Sequence, residues 1–238
     1  MKYYSTLFFF LIANTVLLAQ SQIGIRTGVY GFNEEVLFPN GAISWLENEL
    51  KPSVAGELFF SQSINQSNWL WAGSVSYQRF SCVAEIPFMY TYEFQGREIP
   101  VFTTGLRTEF DNVVGFSLGI GYEFRNRNES QSFKMEIGGR LLGSVQSGMR
   151  IEIEENPDLD FEDNSDAEFS ERIISGCFFR PSYQFRIGDK NSPWTGVVFM
   201  EGNMLWRNKA PVTNPVFTYG GGLGISFALE GKSRNGLI

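Results

Sequence analysis

Charged side chains of both signs recur at even spacings within one stretch of the chain. Lys134, Glu136 and Arg140 are two and four residues apart. In an extended strand, residues at even spacings point to the same face, so these three charges would lie side by side. Two kinds of chemistry fit such a group. Enclosed opposite charges can pair and hydrogen-bond to one another, or they can line a narrow polar pathway for ions.

Other alternating runs carry charges on the same polar face. Together with the three above they comprise six bases and five acids, a near balance that favours pairing. We therefore expect a paired charge network that fills an enclosed interior, with an ion pathway as the alternative. The expected interior charges are Arg26, Glu57, Glu93, Arg107, Glu123, Lys134, Glu136, Arg140, Arg180, Arg186 and Glu201.

An acidic segment stands apart from this balanced set. Residues 150–171 hold ten acids and one base, a net charge of -9, whereas the whole chain carries -7. Carboxylates are ligands that calcium prefers, but the segment lacks the glycine and the terminal glutamate of an EF-hand loop. We expect a solvated loop and no bound metal or other cofactor; the weak candidate ligands are Asp158, Asp160, Glu162, Asp163 and Asp166. Because the acidity belongs to one loop and the remainder is about +2, nucleic acid is not an expected partner.

The chain contains no histidine. Imidazole is the usual base near neutral pH, and serine nucleophiles depend on it for activation. Its absence argues against hydrolases of the serine–histidine and carboxylate–histidine types, and against histidine-based haem and zinc sites. We predict that the protein is not an enzyme.

The run 113–124 shows which elements must position these charges. Phe116, Leu118 and Ile120 fall on one face, and Gly115 and Ser117 fall on the other. A soluble sheet would cover its solvent face with lysine, glutamate and threonine. An apolar face is typical of contact with lipid, and a face of glycine and serine is typical of the crowded interior of a narrow closed barrel. The pattern predicts an all-β, closed, antiparallel up-and-down transmembrane β-barrel.

Turn signals divide the chain into about ten such runs. We expect strands near 23–32, 53–63, 69–80, 86–94, 98–109, 113–124, 133–147, 171–187, 194–206 and 216–229. Most exceed the 5–6 residues of a soluble strand and reach the roughly 9–11 that a tilted membrane strand needs. Connections near 63–68, 95–97, 125–132 and 188–193 are short and would be periplasmic turns, whereas 33–52 and 148–170 would be external loops. Ten strands are expected. The alternative is eight, with 81–112 forming a hairpin in an external loop.

The beginning of the chain differs from the rest. Residues 1–19 combine an early lysine, an apolar stretch and a small residue at the end, which predicts a secretory signal peptide. Residues 20–238 show no linker and no shift of composition, so we expect one barrel domain. Two cysteines, Cys82 and Cys177, leave open whether an exported chain would bridge them.

Three segments resemble the small bacterial outer-membrane β-barrel family, the porin-like group with OmpA- and OmpX-like barrels. They are 84–87 (AEIP), 116–124 (FSLGIGYEF) and 219–227 (YGGGLGISF). Aromatic residues near the strand ends, among them Trp69, Tyr122 and Trp194, match the two girdles that such barrels place at the membrane interfaces. The resemblance implies insertion in the outer membrane, contact with its lipid, and loops that present a surface to a protein or other ligand.

Function is predicted only as a class. We expect a non-enzymatic outer-membrane barrel with a filled lumen and a structural or surface-interaction role. Three alternatives stay open: an accessory barrel of an envelope secretion or transport system, a narrow diffusion channel, and a soluble lipocalin-like lipid carrier with the two faces reversed.

Overall fold

The structure, a computed structural model, describes residues 21–32, 48–64, 67–126, 130–153, 161–165, 173–207 and 216–229. The predicted signal peptide lies outside these residues. Among the described residues, no helix has the length and apolarity needed to cross a membrane. The strands are β1 (Ser21–Phe32), β2 (Asn48–Ser63), β3 (Trp69–Phe94), β4 (Arg97–Arg125), β5 (Gln131–Ile153), β6 (Phe161–Ser165), β7 (Ile173–Arg186), β8 (Trp194–Arg207) and β9 (Val216–Leu229).

Eight of these strands close into a ring. Each of β1, β2, β3, β4, β5, β7, β8 and β9 pairs antiparallel with the next, and β9 pairs with β1 to complete the circle. Closure satisfies the backbone groups that would otherwise be exposed along two sheet edges. Strand β6 lies outside the ring, against the distal part of β5. The fold is thus all-β, closed and antiparallel, as the alternating pattern predicts.

The two ends of the ring differ in how they are connected. At one end, β2 joins β3, β4 joins β5 and β7 joins β8 through short segments, and Ser21 at the start of β1 pairs with Leu229 at the end of β9. We call this the short-turn end. The opposite end carries the connections 33–47, 154–172 and 208–215, together with the continuations of β3 and β4. Both described ends of the chain therefore lie at the short-turn end.

The prediction of ten strands is wrong for the ring, and the alternative of eight is correct. The runs near 86–94 and 98–109 are the distal parts of β3 and β4, which pair without interruption from Trp69↔Tyr122 to Phe94↔Arg97. Among the described residues, β3 has no pairing with β2 beyond Ala84, and β4 has none with β5 before Gly105. Residues 85–104 are therefore a two-stranded extension, which we call the projecting hairpin. Its ten-residue arm, 85–94, is about 33 Å long.

The tip of the projecting hairpin is the tight turn Gln95–Gly96. Both residues have positive φ, 52° and 72°, as a type I′ turn requires. Because Phe94 and Arg97 flank this turn, alternate pairs along the ladder are hydrogen-bonded and those between are not. Pro87 and Pro100 both fall at the non-hydrogen-bonded positions, where an amide would point away from the partner strand. Two prolines are tolerated for this reason, and neither free edge offers an unbroken row of donors.

Placing 95–97 among the periplasmic turns is therefore also wrong, since this turn lies at the end opposite the short turns. The error has a local cause. A two-residue hairpin turn has the same sequence signature wherever it lies along the barrel axis, and only the pairing of β3 with β2 and of β4 with β5 shows where the ring stops.

Candidate functional site: a charged lumen inside an apolar belt

Strand β4 separates two environments residue by residue. Phe116 and Leu118 are half exposed on the outside, at 50% and 49%, whereas the intervening Ser117 is 3% exposed and faces the lumen. Ser117 hydrogen-bonds there to Ser74 of β3. The alternation follows from the two-residue period of a strand. The outside of this strand is therefore apolar and its inside is polar.

The same polarity holds around the whole ring. Each of its eight strands exposes large apolar side chains on the outer face, and together they form a continuous apolar belt. One representative from each strand in chain order is Ile25, Leu58, Val75, Leu118, Ile137, Phe179, Met200 and Leu223. An exposed apolar surface of this extent indicates a nonaqueous surrounding or a large covering partner.

Aromatic side chains border the belt at the short-turn end. Trp69 meets Tyr122 edge to face with ring centroids 5.2 Å apart, and Trp194 meets Phe227 at 5.1 Å. This matches the expected girdle on that side. Tyr92 and Phe94 lie near the tip of the projecting hairpin at the other end and are not part of this girdle.

Inside the ring, six charged side chains form what we call the central cluster: Arg26, Glu57, Glu136, Arg140, Arg180 and Glu201. All six are buried. Arg180 is the hub. It donates from Nε to Glu201 Oε2 at 2.5 Å, from Nη1 to Glu136 Oε2 at 3.1 Å, and from Nη2 to Glu57 Oε1 at 3.2 Å.

Two further arginines complete the pairing. Arg26 binds Glu57 with two parallel hydrogen bonds, Nε to Oε2 at 2.6 Å and Nη2 to Oε1 at 2.9 Å. Arg140 donates from Nη1 to Glu201 Oε1 at 2.5 Å. Three guanidinium groups therefore meet three carboxylates, and the cluster is formally neutral. Fork geometry of this kind adds both strength and orientation.

Aromatic rings enclose the cluster from the side. The guanidinium carbon of Arg26 lies 4.5 Å from the ring centroid of Phe59, and that of Arg180 lies 4.9 Å from Phe178. Phe199 is within 5.4 Å of Arg26 as well. Contacts of cations with ring faces contribute more when they are shielded from water. The rings also fill space that water would otherwise occupy, so the charges are held in a narrow, packed interior.

A second group of charges lies nearer the short-turn end. Lys134 donates from Nζ to Gln22 Oε1 at 2.7 Å, and its Nζ is 4.0 Å from Glu123 Oε1. Glu123 is bound more closely by Arg125, whose Nε donates to Glu123 Oε2 at 2.9 Å. Arg186 is partly exposed and lies at the rim of the same end. Lys134, Glu123 and Arg186 therefore do not join the central cluster.

One predicted interior charge lies outside the ring, another lies near the end of the paired part of β4, and several network members were missed. Glu93 is exposed on the projecting hairpin, and Arg107 is partly exposed where β4 leaves the ring. Missed were Asn203, which binds Arg140 Nη1 through Oδ1 at 3.0 Å, together with Gln22 and Arg125. Asn203 follows Glu201 by two residues, so the same alternation that indicated Glu201 would have indicated it.

The acidic segment stays untested as a metal site. Asp158, Asp160 and Asp166 lie outside the described residues, and Glu162 is exposed on β6. Asp163 also lies on β6, opposite Met149. Among the side chains that the structure describes, no three carboxylates or thiols are grouped for a metal ion. Cys177 is free and faces outward in the apolar belt.

No family model matches this chain, and no curated protein matches it. Three solved structures are similar to this chain. Ail, the attachment invasion locus protein of Yersinia pestis, solved with the heparin analogue sucrose octasulfate, is 11% identical (89% of this chain, 99% of that chain, TM-score 0.43). Neisserial surface protein A is 10% identical (87% and 95%, TM-score 0.39). The outer membrane protease OmpT of Escherichia coli is 10% identical (89% and 94%, TM-score 0.38). The closed ring of eight strands is established by the strand pairing itself.

Proposed function

We propose that this protein is a non-enzymatic integral barrel of the bacterial outer membrane. Its lumen is closed by paired charges, and its projecting hairpin presents a surface outside the membrane. The short-turn end faces the periplasm, as in barrels with short periplasmic turns and longer external connections. The three parts of this proposal rest on different observations.

Membrane insertion is supported by the contrast between adjacent residues of β4. Leu118 is half exposed on an apolar outer face, and Ser117 is buried against Ser74 inside. This single contrast carries the proposal, because it repeats around the ring. A soluble lipocalin-like carrier needs the reverse, with an apolar cavity and a polar exterior. The buried guanidinium and carboxylate groups would leave no place for a lipid tail.

A closed lumen is supported by the way in which the central cluster spans the ring. Arg180 on β7 is bonded to Glu57 on β2, four strands away in either direction around the circle. In a barrel of about 8 strands the interior is just wide enough for side chains to fill. A diffusion channel would need these bonds to open, so a plug made of side chains fits better than a pore.

A role at the cell surface is supported by the projecting hairpin. Its cross-strand pairing places Phe88, Tyr90, Tyr92, Ile99 and Val101 on one face, which is consequently rich in aromatic and aliphatic side chains. None of these residues contributes to ring closure. Tyr92 and Ile99 are exposed and the other three are partly exposed, and an apolar surface of this kind is typical of interaction sites.

A matched pair of cysteine probes tests the membrane assignment. In a Cys82→Ser/Cys177→Ser background, Leu118→Cys and Ser117→Cys are each labelled with a small environment-sensitive fluorophore and reconstituted into vesicles. We expect brominated lipids to quench the label at 118 and to leave the label at 117 largely unaffected. A heat-dependent shift of the gel band verifies that each variant forms the barrel.

The opposite pattern would contradict the proposal. Quenching at 117 with none at 118 would mean that the apolar face points inward in solution. A purified chain that remained monodisperse without detergent would have the same consequence.

A further inference from the structure

We propose that the short-turn end of the lumen is a binding site for a small phosphate-bearing anion. A cavity of about 370 Å³ opens at this end of the ring. It is lined by the first residues of β1 and β5, the last residues of β4 and β7, and the connection 187–193. None of the six residues of the central cluster lines this cavity; Lys134, which does, precedes Glu136 of that cluster by two residues on β5.

The cavity has a strong excess of positive charge. Among the described residues that line it, four are cations, Arg125, Lys134, Arg186 and Lys190, and one is a carboxylate, Glu123. The net charge of +3 contrasts with the neutral central cluster beside it and with the net -7 of the whole chain. Cations gathered in a concave, low-dielectric site raise the local concentration of anions.

Lys134 provides a second, independent indication of a ligand. It is 2% exposed and lies at the base of the cavity. An ammonium group has three donors. Within the described part of the chain, Nζ of Lys134 donates to Gln22, and the nearest carboxylate oxygen, Oε1 of Glu123, is 4.0 Å away. The other oxygen of that carboxylate, Oε2, accepts a hydrogen bond from Arg125. A buried cation with one good acceptor is costly unless another anion completes its shell.

The remaining lining favours phosphate over a purely apolar or neutral ligand. Serines of β1 and β2, Ser21 and Ser61, also line the cavity, and a hydroxyl group can donate to a phosphate oxygen. Arginine forks and lysine point charges are the usual partners of phosphate. The volume falls within the roughly 300–1,000 Å³ of small-molecule sites. The proposed function supplies one part of this inference, namely that the pocket opens to the periplasm. The existence of the pocket and its positive charge are independent of the proposed function.

Two sources could supply this group, a soluble phosphate ester or a phospholipid headgroup. The polar side chains that line the pocket belong to the lumen, and a headgroup would have to cross the rim of the ring to enter. We therefore expect a soluble ligand. The test uses inorganic pyrophosphate, titrated calorimetrically in metal-free, low-salt buffer into the protein held in phosphatidylcholine nanodiscs.

We expect saturable binding that Arg186→Gln/Lys190→Gln weakens at least about tenfold, because two charge-assisted contacts are lost. Arg97→Gln is the matched control, since it removes an arginine from the hairpin tip at the opposite end. It should change the affinity less than about twofold. Both substitutions affect rim or surface residues, and the heat-dependent gel shift verifies that each variant is folded. Lys134→Met provides a more severe test at the base.

Nanodiscs containing phosphatidylglycerol distinguish the two sources. Unchanged pyrophosphate affinity supports a soluble ligand, whereas weakened binding in these discs that still depends on Arg186 and Lys190 assigns the site to a headgroup phosphate. An absence of saturable binding to the folded protein would overturn the inference. Equal weakening by Arg97→Gln would also overturn it, since binding would then reflect overall charge. Neither result would affect the membrane assignment, which the cysteine probes measure separately.

Discussion

Arg180 and Glu57 lie on opposite sides of the ring and are joined by hydrogen bonds across the lumen. Nη2 of Arg180, on β7, is 3.2 Å from Oε1 and 3.3 Å from Oε2 of Glu57, on β2. Because β2 and β7 are not neighbours, this contact ties together two halves of the barrel that the backbone ladder connects only indirectly. The central cluster thus both fills the lumen and braces it.

Replacing the hub should destabilise the barrel strongly. Arg180→Met leaves three carboxylates with two arginines inside a packed lumen. Removing one partner of a buried pair typically costs about 3–5 kcal/mol. We expect a corresponding fall in the free energy of unfolding, measured by guanidinium titration of the protein in detergent micelles.

Arg97→Met is the control for that measurement, because an exposed substitution usually changes stability by less than about 0.5 kcal/mol. The double variant Arg180→Met/Glu57→Gln should lose less than the sum of the single changes, as expected for directly coupled residues. Equal stability of Arg180→Met and the parent protein would show that the cluster does not brace the barrel.

The second prediction concerns ion conduction. With the central cluster intact, planar bilayer recordings should show no steady open level. Arg180→Ala/Glu201→Ala removes a neutral pair and two long side chains from the central cluster, so brief or sustained openings should follow in those molecules that keep the heat-dependent gel shift. Steady openings of the parent protein would instead support the diffusion-channel alternative.

The third prediction tests the number of strands in the ring. Residues 87–104 can be replaced by Asn-Gly, so that Ile86 and Gly105, which already pair, flank a new two-residue turn. In an eight-stranded ring this deletion removes only exposed ribbon. We expect an unchanged β-sheet circular dichroism signal per residue and a retained gel shift. If the ring had ten strands, the deletion would remove two of them, and the variant would fail to fold.

The fourth prediction concerns the glycines of the inner face. A Cβ on Gly138 would collide with the carbonyl oxygen of Leu118 and lie 2.6 Å from Cα of Gly119. Gly202, on the outer face, has no atom within 4 Å of its Cβ position. Gly138→Ala should therefore lower the unfolding free energy by about 1–3 kcal/mol, as overpacking does. Gly202→Ala is the matched control and should have little effect. Equal effects of the two substitutions would contradict the close approach of β4 and β5 at Gly119 and Gly138.

The alternation along single strands was sufficient to place most interior charges. Lys134, Glu136 and Arg140 share a face in the sequence and share the lumen in the structure, because a strand sends every second side chain to the same side. Their partners were not predictable. Which carboxylate binds Arg180 depends on the register between strands that are far apart in the chain. No local sequence pattern indicates that register.

The projecting hairpin shows the opposite case. Apolar and polar residues alternate in 86–94 and 98–109 as regularly as in any barrel strand. Their pattern alone therefore favoured two further strands in the ring. Alternation records only that a segment is extended with two unlike faces. Whether β3 continues to pair with β2 beyond Ala84 depends on the neighbouring strand, whose described residues begin at Asn48, opposite Ala84.

The sequence by itself therefore determined the class of fold and the polarity of each strand, because the direction of a side chain from a strand depends only on its position along the chain. The tertiary structure decided where the ring stops, which charges meet across it, and that four cations converge around one pocket. Those features depend on the register between strands and on closure of the circle, and both arise from contacts between residues distant in sequence.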